Sequence, residues 1–236
     1  MNNQSVRVLD VWTPSITTRA IRVEKPADMS FVTSQATRLI LGDDLARPMS
    51  IASGPERPHL DFAVQRSDSE FKRAFLTLTP GATVQVTAPR GNFLLERARP
   101  AVMVAAGIGI TPFRSMLEAL ADENATLAGV IVHATVGPHD VPFRDEIEAL
   151  ARRADLRLSH KIGPVERQQL QSLADETSNP IWYIAGPVED VKYVRNLLET
   201  IGVGEGDIRL EFFRYSGSLA APTLPIGPPD RQAGGS

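Results

Sequence analysis

Residues 101–113 read AVMVAAGIGITPF. Six apolar residues run into Gly107-Ile108-Gly109 and then at once into Thr111-Pro112. A short, continuously apolar run bounded by glycine reads as a strand buried on both faces, the kind found in a parallel sheet. The following TPFRSMLEALADEN repeats apolar residues at helical spacing. Thr111 suits the N-cap of that helix and Pro112 its first turn. Glycines at a strand-to-helix turn let backbone approach a pyrophosphate, and the helix N-terminus presents unpaired N–H groups to it. An ordinary tight turn asks for a glycine as well, so this stretch fixes a fold before it fixes a ligand.

Towards the C-terminus the same alternation continues. LAGVIVHATV precedes PFRDEIEALARRA, LRLSHKIG precedes VERQQLQSLADE, IWYIAGP precedes VEDVKYVRNLLETIG, and IRLEFF closes the series. Five strands with four intervening helices predict a doubly wound parallel α/β domain over residues 98–215. The loop Ala185-Gly186-Pro187 follows the fourth strand, with Glu189 and Asp190 in the first turn of the next helix. In such a sheet this loop and the Gly107–Gly109 loop face one crevice, which suits an extended dinucleotide, and the two acidic residues complement the helix dipole.

Towards the N-terminus the pattern changes. VRVLDVW, TRAIRVEK, ATRLIL, RPMSIAS, HLDFAVQR and TVQVTAP are short strand-like runs with Pro, Gly and Asp between them. They predict a six-stranded antiparallel β-barrel over residues 1–97, interrupted by one helix, EFKRAFLTL, with Ser69 as N-cap. RPMSIAS reads as a buried strand carrying Arg47, a planar and permanently charged fork suited to phosphate, and Ser50, a hydroxyl. Residues 216–236, rich in Pro, Gly and Ser, are expected to be a disordered tail.

Composition narrows the function classes. The 236 residues are 42% hydrophobic and 22% charged with a net charge of −3, which fits a globular protein and argues against nucleic acid or an anionic membrane as partner. There is no cysteine, which removes disulfides, thiolate catalysis and iron–sulfur ligation by this sequence. His59, His133, His139 and His160 form no metal-ligand spacing, so no metal site is expected. No apolar run approaches the roughly 20 residues of a membrane span, and the N-terminus has no leader pattern, so the expected location is the cytoplasm.

Taken in order, the motifs resemble those of the ferredoxin–NADP reductase family as far as Tyr215. Arg47-Pro48-Met49-Ser50 is similar to that family's Arg-x-Tyr/Phe-Ser/Thr flavin motif, with methionine at the aromatic position. PRGNFLL, residues 89–95, resembles Gly-Pro-x-Gly-x-Phe; AAGIGITP resembles Gly-Gly-x-Gly-x-Thr-Pro; AGPVED resembles Cys-Gly-Pro-x-x-Met, with Asp190 at the methionine position; LEFFRY resembles the Glu-Glu-Phe-x-Gly-Tyr ending of compact members. The resemblance implies FAD, or FMN, held by Arg47, Pro48, Met49, Ser50, Ser69, Phe71, Lys72 and Tyr215. It also implies NADPH or NADH as co-substrate, held by Gly107, Gly109, Thr111, Gly186 and Pro187. Ser50, Thr111 and Glu211 would take part in hydride transfer, and Phe212 is read as core. For the nucleotide's far end, Asp140 is a candidate for ribose, with His160 and Lys161 as candidates for a 2′-phosphate. The implied function is an NAD(P)H-dependent flavoprotein reductase passing electrons to a separate ferredoxin, haem or oxygenase component. The alternative is a non-catalytic flavin- or nucleotide-binding subunit. Oligomeric state is left open.

Overall fold

The computed structural model describes residues 3–42 and 45–214. Tyr215 and the expected tail, 216–236, lie outside the described residues. Six strands, β1 (Gln4–Ser15), β2 (Thr18–Glu24), β3 (Ala36–Ile40), β4 (Ala46–Ser50), β5 (His59–Gln65) and β6 (Thr83–Val86), form an antiparallel sheet in the order β4-β3-β6-β1-β2-β5. Its inward alternation, Val6, Val8, Ile21, Val23, Leu39, Leu60, Phe62, Val64, Val84 and Val86, builds the first core. The sheet curls until its two ends meet just beyond Ser50, where Ala52 N–H donates to the Asp61 carbonyl (2.9 Å). Helix α1 (Glu70–Leu76) follows β5 and adds Phe71 and Phe75 to the same core.

One expectation is corrected here. The strand of Arg47 is not buried: β4 is an edge strand, with Pro48 exposed and the rest of β4 only half-buried. Proline has no N–H to give to a neighbour, so a sheet tolerates it at an edge. The seam between β4 and β5 is therefore open along most of its length.

Five strands, β7 (Ala101–Ala106), β8 (Gly129–Thr135), β9 (Arg157–Ile162), β10 (Ile181–Pro187) and β11 (Ile208–Phe213), pair in parallel in the order β11-β10-β7-β8-β9. Helices α2 (Thr111–Asp122), α3 (Arg144–Arg153), α4 (Arg167–Glu176) and α5 (Val188–Thr200) cover its two faces. β7 and β10 are buried at every residue, whereas the edge strands β9 and β11 are partly exposed. Continuous apolar runs are what the central strands need, because helices cover both sides.

The connector between the sheets is anchored rather than loose. Phe93 is buried among Phe113 (ring centroids 5.8 Å apart) and Tyr183 (5.6 Å), and the Tyr183 hydroxyl accepts the Glu96 N–H at 2.8 Å. The two sheets also meet through polar contacts. Ser115 Oγ donates to the Ser53 carbonyl (2.8 Å) and Ser34 Oγ to the Pro112 carbonyl (3.1 Å). Arg114, on α2, reaches across to Asp61 on β5.

Candidate functional site

The open seam is the mouth of a cavity of about 590 Å³, within the range of roughly 300–1,000 Å³ usual for small-molecule sites. On one side β4 contributes Arg47, Pro48, Met49 and Ser50, and on the other β5 contributes Ala63, Val64 and Gln65. Ser69, Phe71 and Lys72 come from the start of α1, Ile108 and Thr111 from the loop after β7, and Glu211, Phe212, Phe213 and Arg214 from β11 and the residue after it. Residues separated by 167 positions, from Arg47 to Arg214, thus share one cavity.

Its lining sets cations and hydroxyls among apolar side chains. The Arg47 guanidinium lies 5.9 Å from the Phe71 ring centroid, and its Nη1 donates to the Ala46 carbonyl at 2.9 Å. Burial lowers the Lys72 ammonium to about 8. An anion beside it would raise it again. Ser69 caps α1 as its sequence suggests, its Oγ accepting the Lys72 N–H at 3.3 Å. That hydroxyl is therefore committed to the helix. Met49 packs against the barrel core while facing the cavity. Phe212 departs from expectation: it is 39% exposed and lines the cavity instead of the core, at the edge strand β11.

Burial raises the Glu211 carboxyl to about 7. The folded chain therefore keeps this proton across a range in which the unfolded chain has already released it. Since the folded state binds more protons between the ordinary carboxylate range and about 7, stability falls as pH rises through that window. The thermal midpoint should accordingly drop less between pH 5 and pH 8 in Glu211→Gln than in the unaltered chain. An equal drop in both would remove Glu211 as a source of the dependence.

A second, narrower cleft adjoins the cavity, lined by Ala106, Gly107, Thr135, Val136, Asp140, Pro142, Pro187 and Asp190. Gln65 lines both, at the junction. The loop after β7 is one 3₁₀ turn, Gly107–Ile110, that runs directly into α2. Thr111 is its first helical residue and not a side-chain cap; its Oγ1 donates to the Ile108 carbonyl at 3.1 Å.

The three glycines differ in purpose. Gly107 has a left-handed φ of 53°, and a Cβ there would meet nothing within 4 Å, so its bare backbone faces open cleft. Gly109 is packed against β10 instead: a Cβ would lie 2.0 Å from the Ala185 carbonyl oxygen. It lines neither the cavity nor the cleft. Gly186, at φ 151°, would bring a Cβ within 2.8 Å of the Ala106 Cβ. Gly109 and Gly186 let the two βα loops touch, and Gly107 leaves room for something else.

Beneath this loop His133 is fully buried, its Nε2 2.9 Å from the Gly107 carbonyl, and burial lowers it to about 4. A neutral ring there donates through Nε2 and props the loop. The candidates for the nucleotide's far end are engaged elsewhere. Asp140 accepts from Ser15 Oγ (2.6 Å), Thr17 Oγ1 (2.6 Å) and Thr17 N–H (3.0 Å), tying the β8–α3 loop to the β1–β2 turn. Partial burial opposes its ionisation, and these donors nonetheless hold the carboxyl below its ordinary value. His160 Nε2 is 3.3 Å from Glu148 and Lys161 Nζ 2.6 Å from Glu166. Among the described residues no group of three ligating side chains is assembled, and no helix is long and apolar enough to cross a membrane.

Sequence reading missed Gln65 and Asp61. Both sit on HLDFAVQ, and nothing in the order of letters marks either. Their importance comes from β5 lying at the seam and at the boundary between the sheets.

A curled antiparallel sheet with a ligand-sized seam meets the first βα loop and the last strand of a doubly wound sheet, a two-part scaffold with one cavity at the junction. Residues 103–196 match the family described as "Oxidoreductase NAD-binding domain". The chain is 37% identical over 139 residues to "Ferredoxin--NADP reductase B" of Sorangium cellulosum, covering 56% of this chain and 57% of that protein. Its fold is similar to the FAD/NAD binding domain of nitric oxide dioxygenase from Vibrio cholerae (TM-score 0.80, 20% identity, covering 90% of this chain and 99% of that one). It is similar as well to a ferredoxin NADP+ reductase from Neisseria gonorrhoeae solved with bound FAD and NADP (TM-score 0.78, 20% identity, covering 90% and 100%). The chain is thus similar to ferredoxin–NADP reductases in sequence and fold, and it spans little more than half the length of the curated reductase it matches.

Proposed function

We propose that this chain is an NAD(P)H-dependent flavoprotein reductase whose flavin occupies the seam cavity and whose nicotinamide dinucleotide enters along the adjoining cleft. The observation that carries this reading is the convergence of Arg47, Ser50, Thr111 and Glu211 on one ligand-sized cavity from three separate elements, β4, α2 and β11. FAD is favoured, with FMN using the same donors. The cavity suits either: its lining holds cations from Arg47 and Lys72, apolar side chains of Met49, Val64 and Ile108, and hydroxyls from Ser50 and Thr111.

A flavin and a nicotinamide bound side by side supply the redox chemistry. This chain's residues supply placement. Arg47 and Lys72 offer charge to a phosphate, and Ser50 and Thr111 offer hydroxyls from two different elements. Gly107 gives bare backbone where a ring or ribose must pass close, and Glu211 holds a proton near neutral pH within the same cavity. Gln65 stands where the two ligands would meet. Tyr215, one residue beyond Arg214, is assigned to stacking on the flavin. A separate redox protein, such as a ferredoxin, haem protein or oxygenase component in the cytoplasm, would receive the electrons; the sequence has no cysteine with which to ligate an iron–sulfur cluster itself.

Anaerobic stopped-flow absorbance of the FAD-reconstituted chain against NADH and NADPH tests the reading. The flavin band should bleach rapidly with at least one of them. A flavin that stays bound and unbleached would favour the non-catalytic subunit, and no bound flavin would defeat both. Arg47→Ala removes one charge-assisted contact, with an expected loss of about 1.5–3 kcal/mol in flavin affinity, roughly ten- to hundredfold. Unchanged flavin content on gel filtration would take Arg47 out of the phosphate site.

A further inference from the structure

Asp190 occupies the place where the family pattern has methionine, in the first turn of α5. Its side chain is buried, 6% exposed, and Oδ2 has no hydrogen-bond partner among the described residues. It lines the cleft beside Gly107 and Pro187, and behind it lies a small apolar pocket walled by Val104, Ala134 and Val194. A buried carboxyl oxygen without donors is costly. Nothing in the packing of α5 asks for it, since Val191, Val194 and Leu198 bury the helix.

The groups around it define what it suits. Glu189 is its neighbour on α5, with Tyr193 one turn on; Asp140 and Thr135 line the same cleft from β8 and the loop after it, and Gln65 lines it from β5. His133 stands behind Gly107 and is neutral. Among the described residues no lysine or arginine lines either pocket. Burial, with Glu189 adding, raises the carboxyl to about 7. An uncompensated acceptor set among other acceptors repels a phosphate and lacks only donors.

We propose that Asp190 is a binding residue for the vicinal hydroxyls of a ribose in the dinucleotide cleft. This rests on the reading above that the cleft takes a nicotinamide dinucleotide. Two neighbouring hydroxyls are donors that a carboxylate can accept together, the same chemistry by which carboxylates recognise nucleotide riboses elsewhere in doubly wound sheets. Donors favour the ionised carboxyl, so binding expels a proton and affinity rises with pH through about 7. A phosphate contact would run the other way, because it requires the protonated acid.

Isothermal titration of the purified full chain, in the presence of FAD, with NAD+ and NADP+ at pH 6 and pH 8 tests this. Two buffers of different ionisation enthalpy count the protons released. Affinity should rise about tenfold from pH 6 to pH 8 with proton release at the lower pH. In Asp190→Asn the difference from the unaltered chain should be largest at pH 8, about tenfold weaker binding, with the proton release lost. Asp190→Ala, checked for folding by circular dichroism, should behave alike. Equal affinity and proton release in the variants, or affinity that falls with pH in the unaltered chain, would overturn the role of Asp190. Failure of the unaltered chain to bind either nucleotide would overturn the dinucleotide reading itself.

Discussion

Arg114→Leu should destabilise the chain by about 3–5 kcal/mol, the range for removing one partner of a buried ion pair. Arg114 is 2% exposed on α2, and its Nη2 is 2.7 Å from Glu146, 2.8 Å from Glu118 and 3.2 Å from Asp61, while Nη1 donates to the Ala52 carbonyl at 2.7 Å. Burial alone would lower the pKa of its guanidinium; the carboxylates around it outweigh that and raise it. Without Arg114, Asp61 keeps Arg22 (2.8 Å) and Glu118 keeps the Gly54 N–H (2.7 Å) and Arg57 (3.3 Å), yet both carboxylates stay buried. The charge left behind outweighs any apolar gain from leucine. Because Asp61 is on β5 and Glu118 on α2, the same loss loosens the seat of one sheet on the other. At this chain length the melting midpoint should fall by roughly 6–20 °C. A shift of under 2 °C in a thermal melt would show that the network has redistributed. Any flavin the chain binds should be released more readily, since Ser50 and Thr111 line one cavity only while the sheets hold their seat.

Gly109→Ala is expected to cost about 3 kcal/mol, at the upper end for forced overpacking. The new methyl would need the space of the Ala185 carbonyl, 2.0 Å away, and of the Gly186 Cα, 2.8 Å away; both are backbone of a central strand. The turn must therefore move, and Gly107 and Thr111 move with it. Two measurements check this: chemical denaturation, and the rate of flavin bleaching by NAD(P)H, which should drop along with stability. Gly107→Ala supplies the contrast. It meets no steric obstacle, and its cost is confined to the left-handed φ and to whatever passes over the loop. If Gly109→Ala were as stable as the unaltered chain, the account of Gly109 as a packing residue would be wrong.

The two folds were legible because their signals are periodic. Continuous runs such as AVMVAA and IWYIAG bounded by glycine need no knowledge of neighbours, and neither does the switch from short alternating strands to βα units. Ser69, Pro112 and Gly107 likewise act on the backbone next to them, so their placement follows from local chemistry. What the sequence could not decide was which strands end up at edges. Arg47-Pro48-Met49-Ser50 reads as a buried strand by composition, and Phe212 reads as core, yet both flank the seam because β4 and β11 have a neighbour on one side only. Asp140 reads as a ligand to ribose and is engaged by Ser15 and Thr17, more than a hundred residues earlier. In a linear reading Glu211 is marked only by the family resemblance, and Asp190 reads as an acid that complements a helix dipole. Only burial, a property of the assembled sheets, holds their protons to about pH 7. The order of residues determined the elements and the loops able to meet a ligand; long-range packing determined which side chains face it and in what state of charge.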